Sequence, residues 1–282
     1  MIELSQITET LFQHWEIVLL FFCIAVLYSS IGFGGGSSYL AILALTSLPF
    51  TQIRAIALLC NIVVVASGTL IYAKSGYYNW KKVLPLVVLS VPMAFIGGYL
   101  KISQSFFFIL LGITLMIAAI FMWVSKYIVE ISKNKETKHS FLKDASFGGF
   151  IGFISGMVGI GGGIFLAPLL HLTNWDKPKK IAATASFFIL VNSIAGLIGQ
   201  IQNPNFSIEW NLTLLLLITV FIGGQIGSRL STYQISPFIL KRTTAVLIAF
   251  VGLRILWSYL LVFWIIFPVF NPEIPLLFLS IF

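Results

Sequence analysis

The chain has 282 residues, of which 59% are hydrophobic and only 9% charged, and its mean hydropathy is +1.01. No soluble globular domain of ordinary composition approaches these values, so the sequence reads as an integral membrane protein with no soluble domain left over. The formal charge of +8 does not point to nucleic acid, because the Lys and Arg residues fall in short clusters between apolar runs, as in the cytoplasmic loops of membrane proteins.

The N-terminal stretch "MIELSQITETLFQHWE" holds Glu3, Glu9 and Glu16 but no Lys or Arg. It lacks the basic start of a cleaved signal peptide, so the first apolar run is expected to be retained. A spanning helix needs about 20 mostly apolar residues, and the first half offers apolar segments at 15–33, 37–48, 55–73, 83–100 and 105–125. Cys23 and Cys60 lie within these runs and read as small hydrophobes. A basic linker follows at 126–144, with Lys126, Lys133, Lys135, Lys138 and Lys143. The second half repeats the series at 145–160, 164–172, 181–201, 211–230 and 237–258. The tail, 259–282, is apolar but interrupted by Pro268, Pro272 and Pro275, and reads either as an extra short span or as an interfacial segment.

The two halves are related. "GFGGGSSYLAILALT" (Gly32 to Thr46) and "GIGGGIFLAPLLHLT" (Gly159 to Thr173) are identical at seven of fifteen positions, at a constant offset of 127. "FIGG" recurs at Phe95 to Gly98 and at Phe221 to Gly224. Residues 1–125 and 145–258 are therefore read as two membrane repeats joined by the linker.

The positive-inside rule places the linker in the cytoplasm and, counting outward, the N-terminus outside. "KSGYYNWKK", with Lys74, Lys81 and Lys82, then falls inside, whereas its counterpart "QIQNPNFSIEW" falls outside. Arg54 and Lys101 are the two cations that disagree with this scheme. Equivalent loops on opposite sides make the repeats inverted. The expected fold class is an all-α polytopic membrane protein of two inverted-topology repeats, an arrangement associated with secondary transporters whose site lies at the midplane.

Each glycine cluster precedes an apolar segment too short to span. Twelve helical residues cover about 18 Å of a roughly 30 Å hydrocarbon core. Small residues can serve simply for close helix packing. The short following segments and the duplication favour instead a deep break leading into a half-membrane helix, tolerated only where it is buried or lines a cavity. The N-terminus of such a half-helix exposes backbone N–H groups and the positive end of the helix dipole, which favour an anion. Gly34, Gly35, Gly36, Ser37 and Ser38 on one side, and Gly161, Gly162 and Gly163 on the other, are the candidate lining of a cradle for a small anion. Asn61, Asn192, Ser193 and Gln225 are polar residues at depth, each needing a partner or a purpose. Asn61 and Asn192, in the helices following the half-helices, are placed ahead of Gln225. His171 is read as an interfacial histidine and Arg254 as snorkelling to the interface. A cofactor, a metal or an intramembrane active site is not expected: His14, His139 and His171 are scattered, with no His-Glu-x-x-His spacing.

The paired glycine motifs, the "AATAS" of Ala182 to Ser186 and the two "FIGG" segments resemble the TauE/SafE family of sulfite and organosulfonate exporters, over nearly the whole chain apart from the tail. The resemblance implies a multi-pass carrier of the bacterial inner membrane that exports a sulfur-containing anion such as sulfite or sulfoacetate, with Thr184 and Ser186 as further site hydroxyls. The first repeat departs from that pattern, with Ala57, Leu58 and Leu59 followed by Cys60 and Asn61. The readings that stay open are a passive anion channel of the same fold and a carrier for a different small organic anion. Expected partners are the bilayer and the anion, not nucleic acid, and a homodimer is left open.

Overall fold

The computed structural model describes residues 4–30, 34–131, 141–173, 175–204, 206–230 and 237–266. Among these there is no strand, and the chain folds into α1 (Leu4–Gln13), α2 (Trp15–Ser30), α3 (Gly36–Leu43), α4 (Phe50–Lys74), α5 (Trp80–Tyr99), α6 (Gln104–Ile131), α7 (Phe141–Val158), α8 (Gly163–Leu172), α9 (Pro178–Ile201), α10 (Trp210–Leu230) and α11 (Pro237–Ile266). Stretches of α4, α5, α6, α9 and α10 are long and apolar enough to cross a membrane, and α2 and part of α11 are shorter apolar helices. Phe150, Trp210, Phe250 and Trp257 point outward, where a water-soluble protein would carry charge and a lipid-facing one carries apolar bulk. The protein is an all-α, multi-pass membrane protein.

α3 has only eight residues and α8 ten, which at about 1.5 Å per residue reach no more than roughly half-way through the hydrocarbon core. α6 runs on to Ile131 and α7 begins at Phe141, so helix occupies both ends of the 126–144 stretch, and its middle lies outside the described residues. α11 extends past 258 to Ile266, and the three tail prolines lie beyond the description. α1 is an additional helix that the acidic N-terminal stretch did not announce.

The packing is the same when the halves are exchanged. α5 packs on α7 and α9, and α10 packs on α2 and α4, while α4 meets α9 and α6 meets α11. Glycines make these contacts close. A Cβ at Gly152 or Gly156 of α7 would run into the backbone of Ser90 or Ala94 on α5. The second half mirrors this with Gly223 and Gly227 of α10 against Phe22 and Val26 of α2. The recurring "FIGG" thereby acquires a structural meaning. In each copy the first glycine abuts one helix of the other half (Gly97 on α7, Gly223 on α2), and the second faces another (Gly98 on α9 at Gly196, Gly224 on α4 at Val64). Each repeat thus completes itself only on its partner. Such small-residue faces let backbones approach where lipid supplies no hydrophobic drive between helices.

At one end of the bundle, Lys82 at the start of α5 donates to the Trp175 carbonyl at 2.7 Å and pairs with Asp176 at 3.4 Å, both in the α8–α9 loop. The Lys82 ammonium also lies over the Trp175 ring, 5.3 Å from its centre. Partial burial would raise the Asp176 carboxyl, but the Lys177 N–H bond and the nearby Lys82 and Lys180 charges outweigh it and hold the group below its ordinary 3.8.

Gly152→Leu should lose about 1–3 kcal/mol by forcing α5 and α7 apart, seen as a lower thermal midpoint in detergent, and an unchanged midpoint would contradict the close approach. Because the Asp176 value is depressed on folding, its ionised form adds stability above pH 3.8 that is lost as the pH falls through the lower folded value. Asp176→Asn should remove that acid-sensitive part, up to about 1 kcal/mol, measured as acid unfolding with and without the substitution.

Candidate functional site: a cradle between two broken helices

α3 and α8 start in the same way. Gly35 precedes α3 with φ 81° and Gly162 precedes α8 with φ 82°, and neither helix start has a side-chain cap. A left-handed φ is where glycine is tolerated and other residues are strained, so the clusters turn the chain abruptly without adding bulk. Backbone bonds to the Gly35 carbonyl begin only at Ser38 and Tyr39, and those to the Gly162 carbonyl at Phe165 and Leu166. The N–H groups ahead of them, at Gly36, Ser37, Gly163 and Ile164, have no partner within their own helix.

The two starts meet at Asn61. This residue of α4 is fully buried and its amide N–H donates to the Ile160 carbonyl at 2.9 Å, joining the first repeat to the glycine turn of the second. A Cβ at Gly34 would sit 2.6 Å from Asn61 Oδ1, one at Gly161 would sit 2.9 Å from Asn61 Nδ2, and one at Gly36 would collide with the same amide and lie 2.7 Å from the Ile160 carbonyl. Glycines from both clusters therefore clasp one side chain. Asn61 Oδ1 has no partner.

A partly open cavity lies on this junction. Gly34, Gly35, Gly36, Ser37 and Asn61 line it from the first half, and Ile160, Gly163, Ile164, Ala167, Pro168 and Ile189 from the second, with Tyr28 and Met122 completing the wall. The Tyr28 hydroxyl and the Ser38 hydroxyl are hydrogen-bonded at 2.9 Å, so Ser38 stands just behind the wall. Gly161 presses on Asn61 and Ser193, and Gly162 holds the turn. Polar side chains thus come from the first half, while the second contributes glycine backbone and apolar surface.

Three candidate residues lie elsewhere. The Thr184 hydroxyl donates to the Lys180 carbonyl of its own helix at 2.9 Å. The Ser186 hydroxyl meets that of Thr69 at 3.1 Å, a tie between α9 and α4. The Asn192 amide donates to Ser90 Oγ on α5 at 3.1 Å and to the Phe188 carbonyl at 2.8 Å. None of the three lines the cavity. Gln225 is half-buried on α10, His171 half-buried at the end of α8 and Arg254 exposed on α11, none of them at the cradle. Tyr28 is the polar lining residue that the sequence reading passed over; its signal was a phenol near the end of a largely apolar helix, six residues before Gly34.

Broken helices that converge on a cavity inside a multi-pass bundle are an arrangement found in membrane transporters. Comparison with known proteins agrees. The profile of the sulfite exporter TauE/SafE family matches residues 17–255, and the chain belongs to that family. It is 33% identical over 250 residues to the probable membrane transporter protein y4hK of Sinorhizobium fredii, covering 86% of this chain and 97% of the relative. A probable membrane transporter protein of Methanocaldococcus jannaschii is 26% identical, covering 85% of this chain and 94% of its own. The probable membrane transporter protein YunE of Bacillus subtilis is 27% identical, covering 72% and 83% respectively. No solved structure matches the chain significantly.

Gly35→Val and Gly162→Val place a β-branched side chain at positive φ, which costs about 1–3 kcal/mol each and should close the cradle. Both variants should insert in the membrane yet lose transport; normal flux through both would show that these turns are not part of the pathway.

Proposed function

We propose that the protein exports a small sulfur-containing anion, sulfite or an organosulfonate such as sulfoacetate, across the cell inner membrane by alternating access around the cradle between α3 and α8. The observation that carries this reading is the pair of uncapped helix starts, led by Gly35 and Gly162, facing one cavity. Four backbone N–H groups and the positive ends of two helix dipoles favour an anion there. Ser37 adds a hydroxyl to that set. Asn61 Oδ1 is an acceptor without a partner, which suits an anion that carries a proton or a hydroxyl of its own.

Alternating access is supported by the exchange symmetry of the packing. If the charge clusters also set the halves in opposite orientation, with the N-terminus outside and the 126–144 linker in the cytoplasm, exchanging the conformations of the two halves converts an inward-open state into an outward-open one. The sulfur in the cargo is taken from the family's description as a sulfite exporter.

The test is uptake into proteoliposomes of sulfite, sulfate, sulfoacetate, taurine and a carboxylate control, each with and without a pH gradient. Saturable flux of a sulfur anion that shows counterflow is expected. Flux of the carboxylate alone would reassign the cargo, and passive flux without counterflow would make the protein a channel. Asn61→Ala should raise the half-saturating concentration about tenfold, a loss of about 1.4 kcal/mol, whereas Asn192→Ala should leave it unchanged.

A further inference from the structure

Arg54 stands in the second turn of α4 and is 3% exposed. It is one of the two cations that contradicted the charge pattern of the loops, and its surroundings explain why: it does not sit in a loop. Its Nη2 donates to the Gly156 carbonyl of α7 at 3.1 Å and weakly to the Gly98 carbonyl of α5 at 3.5 Å, and its Nε has no partner. Among the described residues the single salt bridge is that of Lys82 with Asp176, so no described carboxylate neutralises Arg54. An uncompensated buried charge is among the most costly features a fold can carry. The fold does not demand it either, since the equivalent position of the second repeat, 127 residues on, is the buried Ile181.

Beside Arg54 lies a second, smaller and partly open cavity, bounded by Thr51, Gly98, Gln200, Asn203 and Phe206. Gln200 is 4% exposed and its amide Nε2 also has no partner. Thr51 belongs to the first turn of α4, which begins after Pro49 with no side-chain cap, so its N–H is one of the donors a helix start leaves open. Two buried, unpartnered donors, one of them cationic, and a helix start therefore border the same small space.

We infer that Arg54, Gln200 and the first turn of α4 form a second anion-binding site, for a small sulfur oxyanion, at the end of the bundle formed by the start of α4 and the ends of α5 and α9. Seven residues separate Arg54 from Asn61, two turns along one face of α4 and about 10 Å along its axis. The site is thus stacked on the cradle. Gly159, where the second glycine cluster begins, has φ 89° and its Cβ position lies 3.2 Å from the Arg54 backbone, so the turn that shapes the cradle rests on this residue. The donors of the second site stand on the contacts described above; the choice of a sulfur oxyanion as its ligand rests on the function proposed in the preceding section.

The experiment is equilibrium binding of radiolabelled sulfite to the purified protein in detergent, with sulfate and acetate as competitors. Wild type should bind two sulfite ions per chain. Gln200→Leu and Arg54→Gln should each weaken one of the two sites at least about tenfold while Asn61→Ala weakens the other. Arg54→Gln also removes contacts to α5 and α7 and can misfold, so Gln200→Leu, whose side-chain donor holds no other element, is the deciding variant. Wild-type binding by Gln200→Leu, or no sulfite bound by wild type at all, overturns the second site and leaves the cavity to water. If Asn61→Ala binds as wild type while Gln200→Leu loses a site, the cradle reading fails and the second site stands.

Discussion

Inside hydrocarbon a backbone N–H or C=O without a hydrogen-bond partner costs several kcal/mol, and the whole structure is organised around two places where the helical ladder is deliberately interrupted. The turns at Gly35 and Gly162 leave the first N–H groups of α3 and α8 open at depth. A break of this kind survives only if protein surrounds it or it lines a cavity. Here the surrounding is mutual: Asn61 of the first half closes on the Ile160 carbonyl of the second, and glycines from both clusters leave just enough room for its amide.

That requirement propagates outward into the packing. To bring two broken helices into one cavity, the helices around them must approach more closely than side chains of ordinary size allow. Gly97, Gly98, Gly152, Gly156, Gly223 and Gly227 provide this approach, each set back against the other half's backbone or short side chains. Neither half encloses its own break. The duplicated sequence therefore describes a single interdigitated body, in which the fourth membrane segment of each repeat is a wall for its partner.

Within this shared frame the two halves have diverged chemically. Asn61, Ser37 and Tyr28 give the first half the polar side of the cradle, and the second half answers with Ile164, Ala167 and Ile189. Arg54 extends the same asymmetry to one end of the bundle, where Ile181 is its apolar equivalent. An architecture that repeats its backbone has gathered these polar groups in its first half, on α2, α3 and α4.

The sequence alone determined the class, every described helix except α1 to within eight residues at either end, and the two breaks, because hydrophobicity, length and glycine are local properties that each segment carries in full. The glycines of the cradle were legible for the same reason: a cluster of three followed by a segment too short to span admits few structures. Which polar side chains face the cavity was not legible. Thr184 and Ser186 turn toward Lys180 and Thr69, and Asn192 toward Ser90, while Asn61 reaches the cradle. A helix apolar on every side carries no stripe from which its rotation can be read. Only the tertiary structure fixes that rotation, because it is set by how small residues on distant segments let the helices dock. The same holds for Arg54: as a letter it was a misplaced loop charge, and only the tertiary structure, which brings the Gly98 and Gly156 carbonyls and the end of α9 around it, buries it beside a cavity.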